Sequence, residues 1–195
     1  MARVTAGPGA LPAAPEFRPY RQLGDTPNLI VDGAPLESTR LTLSHWPNNS
    51  TPDELKRDTS TEICFAYVDR PEFHVDVPAV SNNHFDEDGL FSMLAVSRPQ
   101  LALDHRALLI DASRAGDFGR FETRDAARLV FAVESCADPA SSPLAREVFN
   151  ACQARRVAPL YRAMLDYLPR LLDDLESARG LWQDQDAQLD AGLEL

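Results

Sequence analysis

The chain has 195 residues, 44% of them hydrophobic and 25% charged, which suits one folded domain with an appendage and argues against wholesale disorder. Nineteen basic against thirty acidic residues leave a net charge of −11, so a sequence-independent grip on nucleic acid, which needs a basic face, is not expected. Lys56 is the sole lysine and no G-x-x-x-x-G-K-[ST] string occurs, which leaves Schiff-base and phosphate-loop lysine chemistry almost without a candidate.

Residues 1–27 are rich in Ala, Pro and Gly, and are expected to wrap loosely or stay mobile. Pro8, Pro12, Pro15 and Pro19 interrupt them, no apolar secretory core is present, and no apolar run approaches a membrane span. Cys64, Cys136 and Cys152 are odd in number and widely spaced, so they read as small buried hydrophobes in a reducing compartment. A soluble cytoplasmic protein is the expectation.

Order should begin at Asn28-Leu29-Ile30-Val31, a buried strand closed by Asp32-Gly33. Arg40 to His45 alternates as a second strand. Thr51-Pro52-Asp53-Glu54 and Thr59-Ser60-Thr61-Glu62 are capping boxes, predicting a helical turn near 52–57 and a fuller helix through Tyr67. Phe73 to Val77 alternates as a strand that can continue past Pro78. A polar turn, Asn82 to Gly89, then leads into apolar helical spacing from Leu90 to Val96. Residues 106–111 fit strand or helix. Thr123 or Asp125 caps a helix through Val133, and Ser142-Pro143 opens a helical region to about Trp182, with breaks or kinks at Pro159 and Pro169. From Asp173 onward seven acids face one arginine, as in a solvated helix face or frayed tail. The fold class expected is α/β: a mostly parallel central sheet flanked by helices over 28–138, followed by a helical C-terminal segment over 139–195.

Asn82-Asn83-His84-Phe85-Asp86-Glu87-Asp88-Gly89 is the densest chemical signal. Carboxylates two residues apart, between a strand and a helix, can point oxygens into one crevice at a sheet's carboxyl edge, and Asp with His suits Mn²⁺ or a related divalent metal. The plainer alternative is a polar turn in which Asp86 or Asp88 caps the next helix. Asp32 and His45 close the first two strands, and Asp117 sits in a glycine-bracketed stretch, Ala115 to Phe121. No G-x-S-x-G elbow supports Ser/His/Asp catalysis.

These strings resemble the motifs of the DHH phosphoesterases. Asn82 to Gly89 is similar to that family's first motif, a strand and a loop of the form H-x-D-x-D-x-D-G or H-x-x-x-D-x-D, with Asp86 and Asp88 on the carboxylate ligands and Asn82 where the first His stands. Leu29-Ile30-Val31-Asp32 resembles the second motif, Ser44-His45-Trp46 followed by Asp58-Thr59-Ser60-Thr61-Glu62 part of the third, and Asp117-Phe118-Gly119-Arg120-Phe121 the fourth. The order here is permuted, and Trp46 and Ser44 replace the outer residues of D-H-H. The whole chain also resembles an uncharacterised bacterial family, which implies no activity.

The DHH resemblance implies two-metal hydrolysis of a small phosphorylated substrate by a cation-activated water. Asp32 would bridge two Mn²⁺ ions, Asp86 and Asp117 would hold one with Asn82 nearby, and Asp88 and His45 the other. Arg114 and Arg120, flanking Asp117, are candidates for bidentate phosphate binding, or are merely solvated. His84 either ligates beside Asp86 or orients the loop through a hydrogen bond, the second being favoured by crowding. Two other readings stand beside the hydrolase: a catalytically silent relative serving as a binding or partner protein, and an interaction domain that forms a homo-oligomer. The last would use the stripe Leu160, Met164, Leu168, Leu171, Leu172 and Leu175, unless that stripe is core.

Overall fold

The computed structural model describes residues 14–150 and 152–193. Four short strands, β1 (Glu16–Phe17), β2 (Asn28–Val31), β3 (Thr39–Leu43) and β4 (Ala79–Ser81), form one sheet in the order β1-β4-β2-β3. Every pairing is parallel, with Asn28 opposite Thr39 on one side and Ala79 on the other. All strands therefore end at one edge. The residues that follow them, notably Asp32, His45 and Asn82, are carried there whatever their separation along the chain.

The sheet alternates in the expected way: Leu29 and Val31 enter the main core, while Ile30 packs on the other face with Leu23 and Ala79. Helices α1 (Ser60–Val68) and α2 (Glu87–Ser97) pack against each other beneath this edge, and α4 (Arg106–Phe118) crosses both. The short α3 (Pro99–Asp104), α5 (Arg124–Ala137), α6 (Gln153–Asp173) and α7 (Gln183–Leu193) complete an α/β fold with a helical C-terminal region. No helix among the described residues is long and apolar enough to cross a membrane.

The capping box read at 59–62 is present: the Thr59 side chain accepts from the Glu62 backbone N–H, and the Glu62 carboxylate accepts from that of Thr59. Thr59→Ala is expected to cost about 1–2 kcal/mol of unfolding free energy. Urea denaturation measures this, and an unchanged midpoint would contradict the assignment.

Several expectations are corrected. Residues 16–23 are not loose: β1 pairs with β4, and Leu23 is buried against Ile30 and Ala79; residues 1–13 lie outside the described part. The strand expected over 73–77 begins only after Pro78, whose missing N–H bars it from an interior ladder position; Pro71–Phe73 is a 3₁₀ turn. The expected helix at 52–57 is also a single 3₁₀ turn, Asp53–Leu55. Asp117 lies not in a loop but in the last turn of α4, which ends at Gly119 in the left-handed region, φ 62°.

Pro159 and Pro169 lie inside α6 without ending it, because Leu160, Met164, Leu165, Leu168, Leu171 and Leu172 bury one face along its length. That stripe is core, packed toward α2 and α5. The acidic end is docked rather than frayed: Asp186 pairs with Arg124 and Arg128 of α5, and Asp190 with Arg124. Cys64 and Cys136 are buried as expected, whereas Cys152 is exposed.

Candidate metal centre

At the carboxyl edge of the sheet, four aspartates and two histidines converge. Asp32 follows β2 at φ 44°, a left-handed conformation that Asp and Asn tolerate better than other side chains, and is 1% exposed. Its Oδ1 accepts a 2.8 Å hydrogen bond from the Ser60 hydroxyl and lies 3.6 Å from His45 Nε2; its Oδ2 lies 3.0 Å from His84 Nε2. One carboxylate thus offers an oxygen to each imidazole.

His45 is oriented by α1. Its backbone N–H donates to Ser60 Oγ, and its Nδ1 is 2.8 Å from the Asp58 carbonyl, which only accepts, so Nδ1 carries the hydrogen. The other nitrogen, Nε2, faces Asp32 at 3.6 Å, Asp88 at 3.9 Å and Asp117 at 3.5 Å. None of the three oxygens is within hydrogen-bond distance. Ligand atoms about 2.0–2.3 Å from a shared cation stand roughly 3–3.5 Å apart, so small inward movements suffice to close this shell.

Asp88 projects from α2 across to the start of α1, where its oxygens accept from the backbone N–H groups of Ser60 (2.7 Å) and Thr61 (2.8 Å). A buried carboxylate is thereby held at a helix N-terminus, where the helix dipole favours it. Asp86 caps α2 with Oδ1, which accepts from the Gly89 N–H at 2.8 Å, and meets His84 Nε2 at 2.7 Å with Oδ2. The two readings of this loop, helix cap and ligand, are not exclusive, because separate oxygens serve them. Gly89 has no room for a side chain: a Cβ would lie 2.5 Å from Asn82 Nδ2 and 2.6 Å from the buried Tyr161 hydroxyl. Gly89→Ala is expected to destabilise the protein by about 1–3 kcal/mol and weaken metal binding through Asp86. Thermal denaturation and metal titration test this, and a variant matching the native protein in both would refute it.

The electrostatics are those of a crowded anionic site. Burial, then the neighbouring charges of Asp32 and Asp117, push Asp88 up to about 7 despite its backbone hydrogen bonds. Burial pushes Asp117 up to about 6, with Asp32 and Asp86 adding to the rise and His45 opposing it, and burial also raises Asp32. Burial acts to lower His84, but its contacts with Asp32 and Asp86 lift it to about 10. For Asp86, burial is outweighed by the His84 contact, which holds it below the usual carboxylate range. A site that must borrow protons to tolerate its own charges is one a divalent cation relieves.

Two groups can hold a cation: Asp32 with His84 and Asp86, and Asp32 with His45 and Asp88, the candidate ligand atoms of each lying within 4.8 Å of one another. Relative to the arrangement expected from sequence, Asp32 is shared as anticipated and Asp88 accompanies His45. Asp117 joins them on the His45 side rather than pairing with Asp86, because α4 carries it there. Asn82 is buried behind the loop, where its Oδ1 accepts from the His84 backbone N–H, so it positions His84 rather than joining a ligand group. His84 itself stands in the cluster. Arg114 is engaged by Glu62 at 2.6 Å and does not stand free for phosphate; Arg120 makes no ion pair among the described residues. The third-motif resemblance includes Asp58 and Ser60, but sequence reasoning gives no role to Ser60, which ties Asp32 to His45, or to the Asp58 carbonyl. The capping box marking the N-terminus of α1 is the signal that could have located an anion there.

The chain matches a family described as a family of unknown function (DUF6687) over residues 13–195, and belongs to it. No curated protein and no solved structure matches.

Proposed function

We propose that this family member is a metal-dependent hydrolase acting on a phosphoester or phosphoanhydride, with Mn²⁺ the fitting cation for a mixed carboxylate and imidazole set. The observation that carries the reading is Asp32, buried, with one oxygen toward His45 Nε2 and the other toward His84 Nε2. His84 and Asp86 would hold one ion, and His45, Asp88 and Asp117 the other. Bound cations would supply a water of lowered pKa and neutralise phosphoryl oxygens. The chain's own contribution is orientation. The Asp58 carbonyl fixes the His45 tautomer, the start of α1 fixes Asp88, and the Asn82 side chain fixes the His84 backbone. Asp117, part exposed and 3.5 Å from His45 Nε2, would complete the set on the His45 side.

The test is elemental analysis of purified protein, together with hydrolysis of bis(4-nitrophenyl) phosphate and pyrophosphate in Mn²⁺. Retained or readily bound Mn²⁺ with turnover that Asp88→Asn abolishes supports the reading. Absence of both metal binding and turnover overturns it. A silent relative is the second reading, favoured by Trp46 in place of a phosphate-contacting histidine and by the commitment of Arg114 to Glu62. Tight metal binding without turnover on any phosphoester or phosphoanhydride would establish that instead.

A further inference from the structure

Three large apolar side chains stand exposed among the described residues, and two of them border the carboxylate–imidazole cluster. Trp46 is 37% exposed, its ring 4.9 Å from that of His84 and tilted by 38°. Phe118 is 49% exposed, its ring 6.4 Å from that of His45 and inclined at 67°. Each imidazole of the cluster thus has an aromatic ring beside it that also faces solvent. Neither ring is needed by the core, since Trp46 follows the end of β3 and Phe118 ends α4. An exposed aromatic ring beside a polar cluster presents flat apolar surface on which a ligand ring can stack.

The surroundings agree. A shallow, open depression is lined by Asp58, Phe118 and Arg120, and Asp58 is the residue whose carbonyl holds His45. The depression therefore adjoins the His45 half of the cluster, where Phe118 stands beside His45. Arg120, without an ion pair among the described residues, places a guanidinium on its rim, suited to an anionic oxygen.

We propose that Trp46 and Phe118 are specificity residues that receive a flat ring carried by the substrate, so that the phosphoester hydrolysed is an aromatic rather than an aliphatic one. This rests on the hydrolase reading above and adds the identity of the group attached to phosphate. The phosphate faces the cluster and Arg120, and the ring lies against Trp46 or Phe118, where an alkyl chain finds no equivalent planar partner.

The experiment is calorimetric titration of Mn²⁺-loaded protein with phenyl phosphate and with propyl phosphate. Phenyl phosphate is expected to bind at least about fivefold more tightly, the effect of one aromatic pair. Trp46→Leu or Phe118→Leu, which keep an apolar side chain but remove the ring, should bring the two ligands within about twofold of each other. Mn²⁺ titration of each variant reports whether the cluster is intact. Fluorescence gives a second readout. Of the two tryptophans, Trp182 is 2% exposed, so a change of emission on adding phenyl phosphate that Trp46→Phe abolishes assigns the ring to Trp46, and unchanged emission assigns it to Phe118. Equal affinity for the two phosphates in the native protein, or a preference that survives in both leucine variants, overturns this proposal and leaves the hydrolase reading standing. Failure of both phosphates to bind a protein that holds Mn²⁺ likewise overturns this proposal, while turnover of bis(4-nitrophenyl) phosphate or pyrophosphate decides the hydrolase reading separately.

Discussion

Asp32→Asn is expected to abolish divalent-cation binding in both halves of the cluster and to lower hydrolysis at least about a hundredfold, while the protein stays folded. Loss of groups that merely orient a metal ligand costs about 10–100-fold, and Asp32 is itself a candidate ligand to both ions. It is the one residue common to the two groups, with an oxygen in each. Asparagine adopts its left-handed conformation without added strain and keeps an oxygen for the Ser60 hydroxyl. The variant should also be more stable than the native protein when both are metal-free, because a buried carboxylate with a raised pKa has been removed. Asp86→Asn, by contrast, touches one group only and should reduce the Mn²⁺ stoichiometry from two to one. Calorimetric titration distinguishes these outcomes. Native stoichiometry and affinity in Asp32→Asn would remove the basis for a shared ligand.

The metal-free protein should lose stability as the pH rises, and Mn²⁺ should reverse the loss. Folding raises Asp88 and Glu87 to about 7 and Asp117 to about 6, so between about pH 4 and 7 the folded chain binds more protons than the unfolded one. Stability therefore falls across that window as pH increases. His84 acts in the same direction at higher pH: raised to about 10 from 6.5, it contributes fully below 6.5, and the contribution is lost as the pH climbs through 10. Asp86 and Asp186, held below the usual range, give stability that disappears only on acidification below the unfolded carboxylate value. At 1.36 kcal/mol per pH unit, Asp88 alone accounts for about 3 kcal/mol between pH 5 and 8. Thermal denaturation in EDTA and in saturating Mn²⁺ measures this. The expected result is a metal-free Tm lower at pH 8 than at pH 5.5, and a larger Mn²⁺-dependent rise at pH 8. A metal-free Tm that is flat or increases with pH would contradict the electrostatics.

Much of the site was legible because its residues follow strands. In a parallel sheet, whatever succeeds each strand arrives at the same edge, so Asp32 after β2, His45 after β3 and the 82–88 loop after β4 could be grouped once the strands were recognised. The capping box at Thr59 likewise located α1. What failed depended on packing. Gly116 and Gly119 suggested a loop around Asp117, yet Gly116 lies within α4 where that helix approaches Glu87 of α2, and only Gly119 ends the helix. The short apolar run 106–111 carries no periodicity to reveal this. Pro78 divided the expected strand from the real one. Asn82 stands where the motif has its first His, but its oxygen accepts from the His84 N–H, a contact that spacing does not encode. Composition alone makes the N-terminal segment look mobile, although β1 pairs with β4 and Leu23 packs on Ala79, partners more than fifty residues away.

The most direct measurement is anomalous diffraction from crystals grown with Mn²⁺. Two peaks are predicted: one bounded by Asp32 Oδ1, His45 Nε2 and Asp88, the other by Asp32 Oδ2, His84 Nε2 and Asp86. Crystals in saturating Mn²⁺ that show no anomalous density between these side chains would contradict the shared-carboxylate centre.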